Sequence, residues 1–341
     1  MKRTAVVFCM VMVMLGCKTK RNLPDVSGIK IAVQVKRFDK DFFAMDTNNI
    51  PASLTALQQK YPGFLNDFLY NIMALPPQED SLVKGLKLFL HDLNYKRIQD
   101  SVNIQFASFE PYRKAIEKGL QYTKYYFPAY KLPEQIITFT GPVEGYGNVI
   151  TGSGLAIGLQ LYLGKNFPAY HTDYISQVYP DYQSRRFEPA YIPVNCMKNI
   201  IDELYADDNP NKLSRPLIEQ MIESGKRLYV LDQLLPETAD SLKTGYTQLQ
   251  LDGCIQNEAY IWNFFVQNDL LYAADPSLTR DYVTDGPNTS TLGDASPGNI
   301  GQFVGWQVVK KWMEKNAQNT LPQLLQTPAK QIFEEAKYKP R

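Results

Sequence analysis

The sequence predicts an α+β fold that is predominantly helical with one small sheet, and three observations predict it. Apolar residues recur every three or four positions through much of 39–126 and again from Pro193 onward, the period of a helix with one buried face. Between these stretches, 135–164 turns to short β-branched and aromatic runs punctuated by Gly141, Gly145, Gly147, Gly152, Gly154, Gly158 and Gly164, as tight turns and strand kinks require. A chain of 341 residues that is 44% apolar and 21% charged, with 22 Tyr and 17 Phe, can bury a sizeable core, which excludes intrinsic disorder and low-complexity structure. One two-lobed domain is expected over 29–341, divided into lobes 29–150 and 151–341.

The chain opens with Lys2 and Arg3, an apolar run from Ala5 to Leu15, then Gly16 and Cys17. This reads as an export signal over 1–16, with an apolar run too short to remain as a membrane span. The ending Met14-Leu15-Gly16-Cys17 resembles a bacterial lipobox, which implies a diacylglycerol and usually a further acyl chain, such as palmitate, on Cys17. Two or three chains bury enough methylenes for stable anchoring. Residues 17–28 then form a lipidated tether, basic at Lys18, Lys20 and Arg21. Loss of Lys2 and Arg3 leaves 34 basic against 35 acidic residues, so the electrostatic footprint of a nucleic-acid binder is missing. A membrane-anchored body in the cell envelope, facing the periplasm, is the expected location.

Alternation at Ile29, Ile31, Val33 and Val35 predicts a first strand over 29–38. Helices are expected over 39–45, 52–61 after Pro51, 62–73, 78–90 with Leu82, Leu86 and Leu90 four apart, and 110–126 up to Phe127-Pro128. Short strands follow at 135–140, 148–150 and 155–163. Helices resume at 194–205, 215–231 and, as one long helix carrying Leu249, Ile255, Tyr260, Trp262, Phe264 and Phe265 into the core, 246–271. Residues 269–299 read as a long polar loop of the kind that often serves binding. The last expected helix, 300–316, repeats Ile300, Val304, Val308 and Trp312 every four residues.

Local signatures of catalysis are weak. His91 and His171 have no histidine partner at a helical metal spacing, and neither Cys196 nor Cys254 has a Cys-x-x-Cys partner or neighbouring His. Pairing of those two cysteines is open. No Gly-x-Ser-x-Gly elbow occurs, and Gly152-Ser153-Gly154 with Gly158 lacks the spacing of a dinucleotide loop. Asp207-Asp208-Asn209-Pro210 is more simply a turn than a calcium loop. The Tyr61-Pro62, Tyr179-Pro180 and Phe127-Pro128 pairs suit core packing better than a carbohydrate-stacking surface.

One constellation stands out. Asn195-Cys196-Met197-Lys198-Asn199 opens a helix, and Glu223-Ser224-Gly225 follows on the next. The layout resembles a zinc peptidase of the zincin type, in which H-E-x-x-H on one helix meets a glutamate on another. Asn195 and Asn199 then occupy the histidine places, Cys196 the general base and Glu223 the third ligand. Two imidazoles one turn apart and a carboxylate base are what that chemistry needs, and an amide and a thiol do not supply them. The resemblance therefore implies a zincin-like scaffold with a degenerate site and no metal. Gly301 and Gly305 have no side chain to fill space, so a partner-binding cleft lined by Gly298, Gly301, Gly305 and Trp306 is expected opposite the Asn195 and Glu223 helices.

The lipobox, Arg37-Phe38-Asp39-Lys40-Asp41-Phe42-Phe43, Lys60-Tyr61-Pro62-Gly63-Phe64, Gly158 to Gly164 (GLQLYLG), Glu223 to Leu231 (ESGKRLYVL), Pro297 to Lys310 (PGNIGQFVGWQVVK) and Lys337-Tyr338-Lys339-Pro340 together resemble the gliding-motility-associated lipoprotein GldB family of Bacteroidetes. That resemblance implies an envelope lipoprotein supporting surface gliding, a process linked to the type IX secretion apparatus, with envelope protein partners. It implies no reaction, no catalytic residues and no cofactor besides the lipid on Cys17. Two other readings are a zinc-dependent hydrolase with atypical ligands, Glu223 among them, and a peptidoglycan- or glycan-binding lipoprotein.

Overall fold

The computed structural model describes residues 23–206 and 214–341; the signal, Cys17, the first part of the tether and the Asp207 to Pro210 turn lie outside them. Strand β1 (Gln34–Arg37) leads into α1 (Phe38–Phe43), α2 (Ile50–Lys60), α3 (Phe64–Asn66, continued by a π-helical turn at Asp67–Ile72), α4 (Glu79–His91), α5 (Leu93–Gln105) and α6 (Glu110–Tyr126). Then come β2 (Gln135–Phe139), β3 (Asn148–Thr151), β4 (Gly154–Gly158), α7 (Asp173–Val178), α8 (Asp181–Ser184) and α9 (Tyr191–Leu204). The rest is helical: α10 (Leu217–Leu234), α11 (Asp240–Thr244), α12 (Gln248–Gln256), α13 (Glu258–Gln267), α14 (Pro276–Val283), α15 (Ile300–Lys315), α16 (Leu321–Gln326) and α17 (Ala329–Ala336). The fold is α+β and mostly helical, as expected.

The sheet has the order β1-β2-β4-β3, with β1, β2 and β4 parallel and β3 antiparallel on the edge. Its central strands are buried on both faces, and their period of two sends alternate residues into different cores. Ile136, Leu155 and Ile157 join the larger core, while Ile137, Phe139 and Ala156 join a smaller one built by α1 to α4. The smaller core is aromatic: Phe38 lies 4.8 Å from Phe68 and 5.0 Å from Phe64 between ring centroids, both edge to face. Close strand packing explains one glycine of the β3–β4 turn. Gly154 has φ +136°, and a Cβ there would meet the Gln135 carbonyl at 2.4 Å. The lobe division expected after residue 150 falls inside this hairpin, and the larger core draws on residues from Val26 to Tyr338.

Elsewhere the structure departs from periodicity. The first strand is shorter than expected, with Ile29 and Ile31 packed against the core ahead of β1. The single helix expected over 246–271 is two, because the chain breaks at Asn257, whose Nδ2 donates to the Gly253 carbonyl at 2.8 Å. Trp262 and Phe265 are buried as expected, but Leu249, Ile255 and Tyr260 face solvent, and Leu251 and Ile261 are buried instead. The long polar loop contains α14, capped by Asp275. Helices α5, α16 and α17 were not marked by the pattern. Helix α5 buries Ile98 and Val102 among polar neighbours, and α16 starts with a capping box between Thr320 and Gln323.

Candidate functional site

Helix α9 buries Ile192, Val194, Cys196, Met197, Ile200 and Ile201, and packs against α6 so closely that a Cβ on Gly119 would meet the Met197 sulfur at 2.7 Å. Its other face carries Asn195, Lys198 and Asn199, spaced i, i+3 and i+4 and therefore side by side. These three border a cavity of about 260 Å³ whose opposite wall includes Asn148 of β3, Leu161 and Tyr162 from the turn after β4, and Phe187. Asn195 and Asn199 are the residues that spacing along the chain points to; nothing in the sequence singles out Lys198 or Asn148, and Tyr162 stands there only within the GLQLYLG run.

A directed hydrogen-bond chain stiffens one wall. Asn195 Nδ2 donates to the Tyr162 hydroxyl at 2.8 Å, Tyr162 donates to Asn148 Oδ1, and Asn148 Nδ2 donates to Cys196 Sγ at 3.2 Å. Burial raises the Tyr162 pKa and pushes the Cys196 thiol up to about 12, so neither ionises near neutrality. Cys196 is thus an inert acceptor. It and Cys254 are separate buried free thiols.

Lys198 is different. Its Nζ has no hydrogen-bond or ion-pair partner among the described residues, and the Asn199 amide has none either. Although part of its surface stays accessible, dense surroundings lower its pKa to about 8. Lost hydration is the main cause and repulsion from Arg186 adds to it, against smaller opposing effects of Asp285 and Asp202. Arg186 itself is engaged with Asp285.

Glu223 does not join this group. On α10 its Oε1 accepts from Lys226 Nζ at 2.9 Å and its Oε2 from the Tyr205 hydroxyl at 2.6 Å; Lys226 also reaches the Leu325 carbonyl at 3.4 Å. The carboxylate is already neutralised by a lysine one turn on. Among the described residues no group of three or more His, Cys, Asp or Glu side chains is placed to hold a metal ion. The zincin-like scaffold is therefore not supported: the helices hold Asn195, Cys196, Asn199 and Glu223, but two amides, a capped thiol and a paired carboxylate form no ligand set. His91 and His171 serve backbone carbonyls, Nδ1 of the former 2.8 Å from Lys87 O and Nε2 of the latter 2.8 Å from Lys165 O.

The expected cleft at Gly298 to Trp306 is also corrected. Helices α10 and α15 run in backbone contact there: a Cβ on Gly305 would fall 1.7 Å from the Met221 carbonyl oxygen, and one on Gly225 would fall 2.2 Å from the Gly305 carbonyl carbon. Gly301 meets the Tyr282 carbonyl and Gly298 meets the backbone of Gly286. Trp306 is buried with Lys310 Nζ 4.0 Å over its ring. Each of these glycines admits a neighbouring backbone, which fills the space its missing side chain leaves.

The tyrosine-proline pairs take the simpler role. Tyr61 is buried, edge-on to Phe38, with its hydroxyl donated to Asp41, and Phe127 is buried in the larger core. Tyr179 is half-buried, edge-on to Phe187 and bonded to the Gly145 carbonyl at 3.1 Å.

Known proteins were compared with the whole chain. No curated protein and no solved structure matches it. The family model described as gliding motility protein GldB matches residues 19–340, nearly the entire chain and all the segments that carry the cavity on α9 and the α10–α15 seam. A match of that extent means that the chain belongs to the gliding motility protein GldB family, a family of lipoproteins.

Proposed function

We propose that the protein is a non-enzymatic envelope lipoprotein that supports gliding motility by binding protein partners in the gliding and type IX secretion machinery. The observation that carries this reading is the family match over residues 19–340, which begins two residues after the lipobox cysteine. On this reading Cys17 bears the diacylglycerol and palmitate, and the folded body faces the periplasm. Consistent with attachment through lipid, no helix of the described residues is long and apolar enough to cross a membrane. Binding is favoured over hydrolysis because Asn195 and Cys196 are tied to Tyr162 and Asn148, and Glu223 is paired with Lys226.

Two measurements test it. Cys17→Ala is expected to move the protein from the membrane to the soluble fraction and to stop colony spreading; retention on membranes would show that protein contacts hold it there. Metal analysis of the purified mature protein is expected to find zinc well below one equivalent. Stoichiometric zinc that disappears with Asn195→Ala or Glu223→Gln would overturn the non-enzymatic reading.

A further inference from the structure

The cavity on α9 has an uncommon balance of groups. A lysine held away from water normally finds a carboxylate or several carbonyls, because an unpaired charge in such surroundings is costly. The protein makes that provision for its buried lysines: Lys226 has Glu223, and Lys243 has Asp232 and Asp240. Lys198, which is half-buried, has no such partner among the described residues, and neither has the adjacent Asn199 amide. No carboxylate lines the cavity, and the charge nearest in influence is the repelling Arg186.

The cavity wall has a definite chemistry. Lys198 supplies one positive charge and only donors, Asn199 supplies a further N–H donor, and Leu161 and Phe187 supply apolar surface. A phosphate dianion calls for more positive charge than this, and Arg186 is occupied by Asp285. One negative charge on a planar pair of acceptors, attached to an apolar group, matches the wall. We infer that this cavity binds a carboxylate, its oxygens between Lys198 Nζ and the Asn199 amide and its apolar substituent against Leu161 and Phe187. The Asn195–Tyr162–Asn148–Cys196 chain is the rigid back of the site, since Asn195 donates to Tyr162, Tyr162 to Asn148 and Asn148 to Cys196. Such a carboxylate belongs either to a small acid or to the C-terminus of a polypeptide. The inference is independent of the envelope role proposed above.

The test is calorimetric titration of the purified mature protein at pH 7 with N-acetyl-L-leucine and with N-acetyl-L-leucinamide. The acid is expected to bind with a Kd of about 1 mM and the amide at least ~10-fold more weakly. Lys198→Met is expected to weaken the acid at least ~10-fold while Lys198→Arg keeps part of the affinity, with circular dichroism confirming that both fold. Affinity for the acid falls between pH 7 and 9 as Lys198 loses its proton near 8, while Tyr162 and Cys196 stay neutral; Arg186, Asp285 and Asp202 are the other charged groups that act on Lys198. A leucine-ending hexapeptide with a free or an amidated C-terminus separates the sources. Tighter binding of the free-ended peptide than of N-acetyl-L-leucine assigns the carboxylate to a chain terminus, and the reverse order assigns it to a small acid. Equal binding of acid and amide, unchanged affinity in folded Lys198→Met, or no heat from any of the acids overturns the inference. Because Lys198→Met leaves Cys17 and the membrane anchor intact, its failure here is distinguishable from failure of the envelope role.

Discussion

Helices α9 and α10 each place a lysine three residues after a polar side chain, Asn195 and Lys198 on one, Glu223 and Lys226 on the other. The outcomes are opposite. Lys226 is 1% exposed and satisfied by Glu223, Tyr205 and a carbonyl of α16, while Lys198 borders a cavity that no carboxylate of the described residues lines. On its other side α10 is sealed against α15 at Gly225 and Gly305, leaving no void. The difference separates charge used to build the protein from charge left available, and it can be read only when the partners from α16 and the sheet are in place.

The sealed side offers the largest effect. Gly305→Ala puts a methyl inside the α10 backbone, so a loss of more than ~3 kcal/mol is expected in urea unfolding, despite the better helix propensity of alanine. Retained stability would show that the two helices can part and that the seam is not what closes α10.

Breaking the satisfied lysine comes next. Lys226→Met leaves Glu223 facing Tyr205 without its ammonium, and a loss of roughly 2–4 kcal/mol is expected by the same measurement. A neutral result would remove the contrast between the two lysines.

The smallest effect has the opposite sign. Lys198 titrates near 8 in the folded protein and near its ordinary 10.5 when unfolded, so between these values the unfolded chain holds more protons and raising the pH favours folding. Below pH 8 the unpaired ammonium costs stability. Lys198→Met is therefore expected to be more stable than the parent by about 1–3 kcal/mol at pH 7, with the advantage shrinking as the pH is raised toward 10.5. A variant less stable than the parent at pH 7 would mean that Lys198 has a favourable partner in the folded state.

Much of this architecture was legible because it is local. The period of helix α6 and the short apolar runs of β2 and β4 follow from neighbouring residues alone, since burial writes each of them into consecutive side chains. Helix α5 was not legible because its buried Ile98 and Val102 are diluted by polar residues and by the exposed Leu93 and Ile104. At the site, Asn195 and Asn199 were found by their spacing, but Glu223 was grouped with them wrongly. Spacing along the chain cannot tell that α10 turns its carboxylate toward Lys226 and Tyr205. The glycines of α15 mislead for a related reason: a missing side chain looks the same in sequence whether a ligand or another helix fills the space.

By itself, then, the amino-acid sequence determined a mostly helical α+β protein, the short apolar runs of its central strands and membership of its family, because short-range period and ordered motifs are written residue by residue. Only the tertiary structure decided that Gly225 and Gly305 close one groove and that Lys226 and Lys243 meet carboxylates while Lys198 borders a cavity. Whether a charge is satisfied depends on groups far away in the chain, and those meet only when the core has formed.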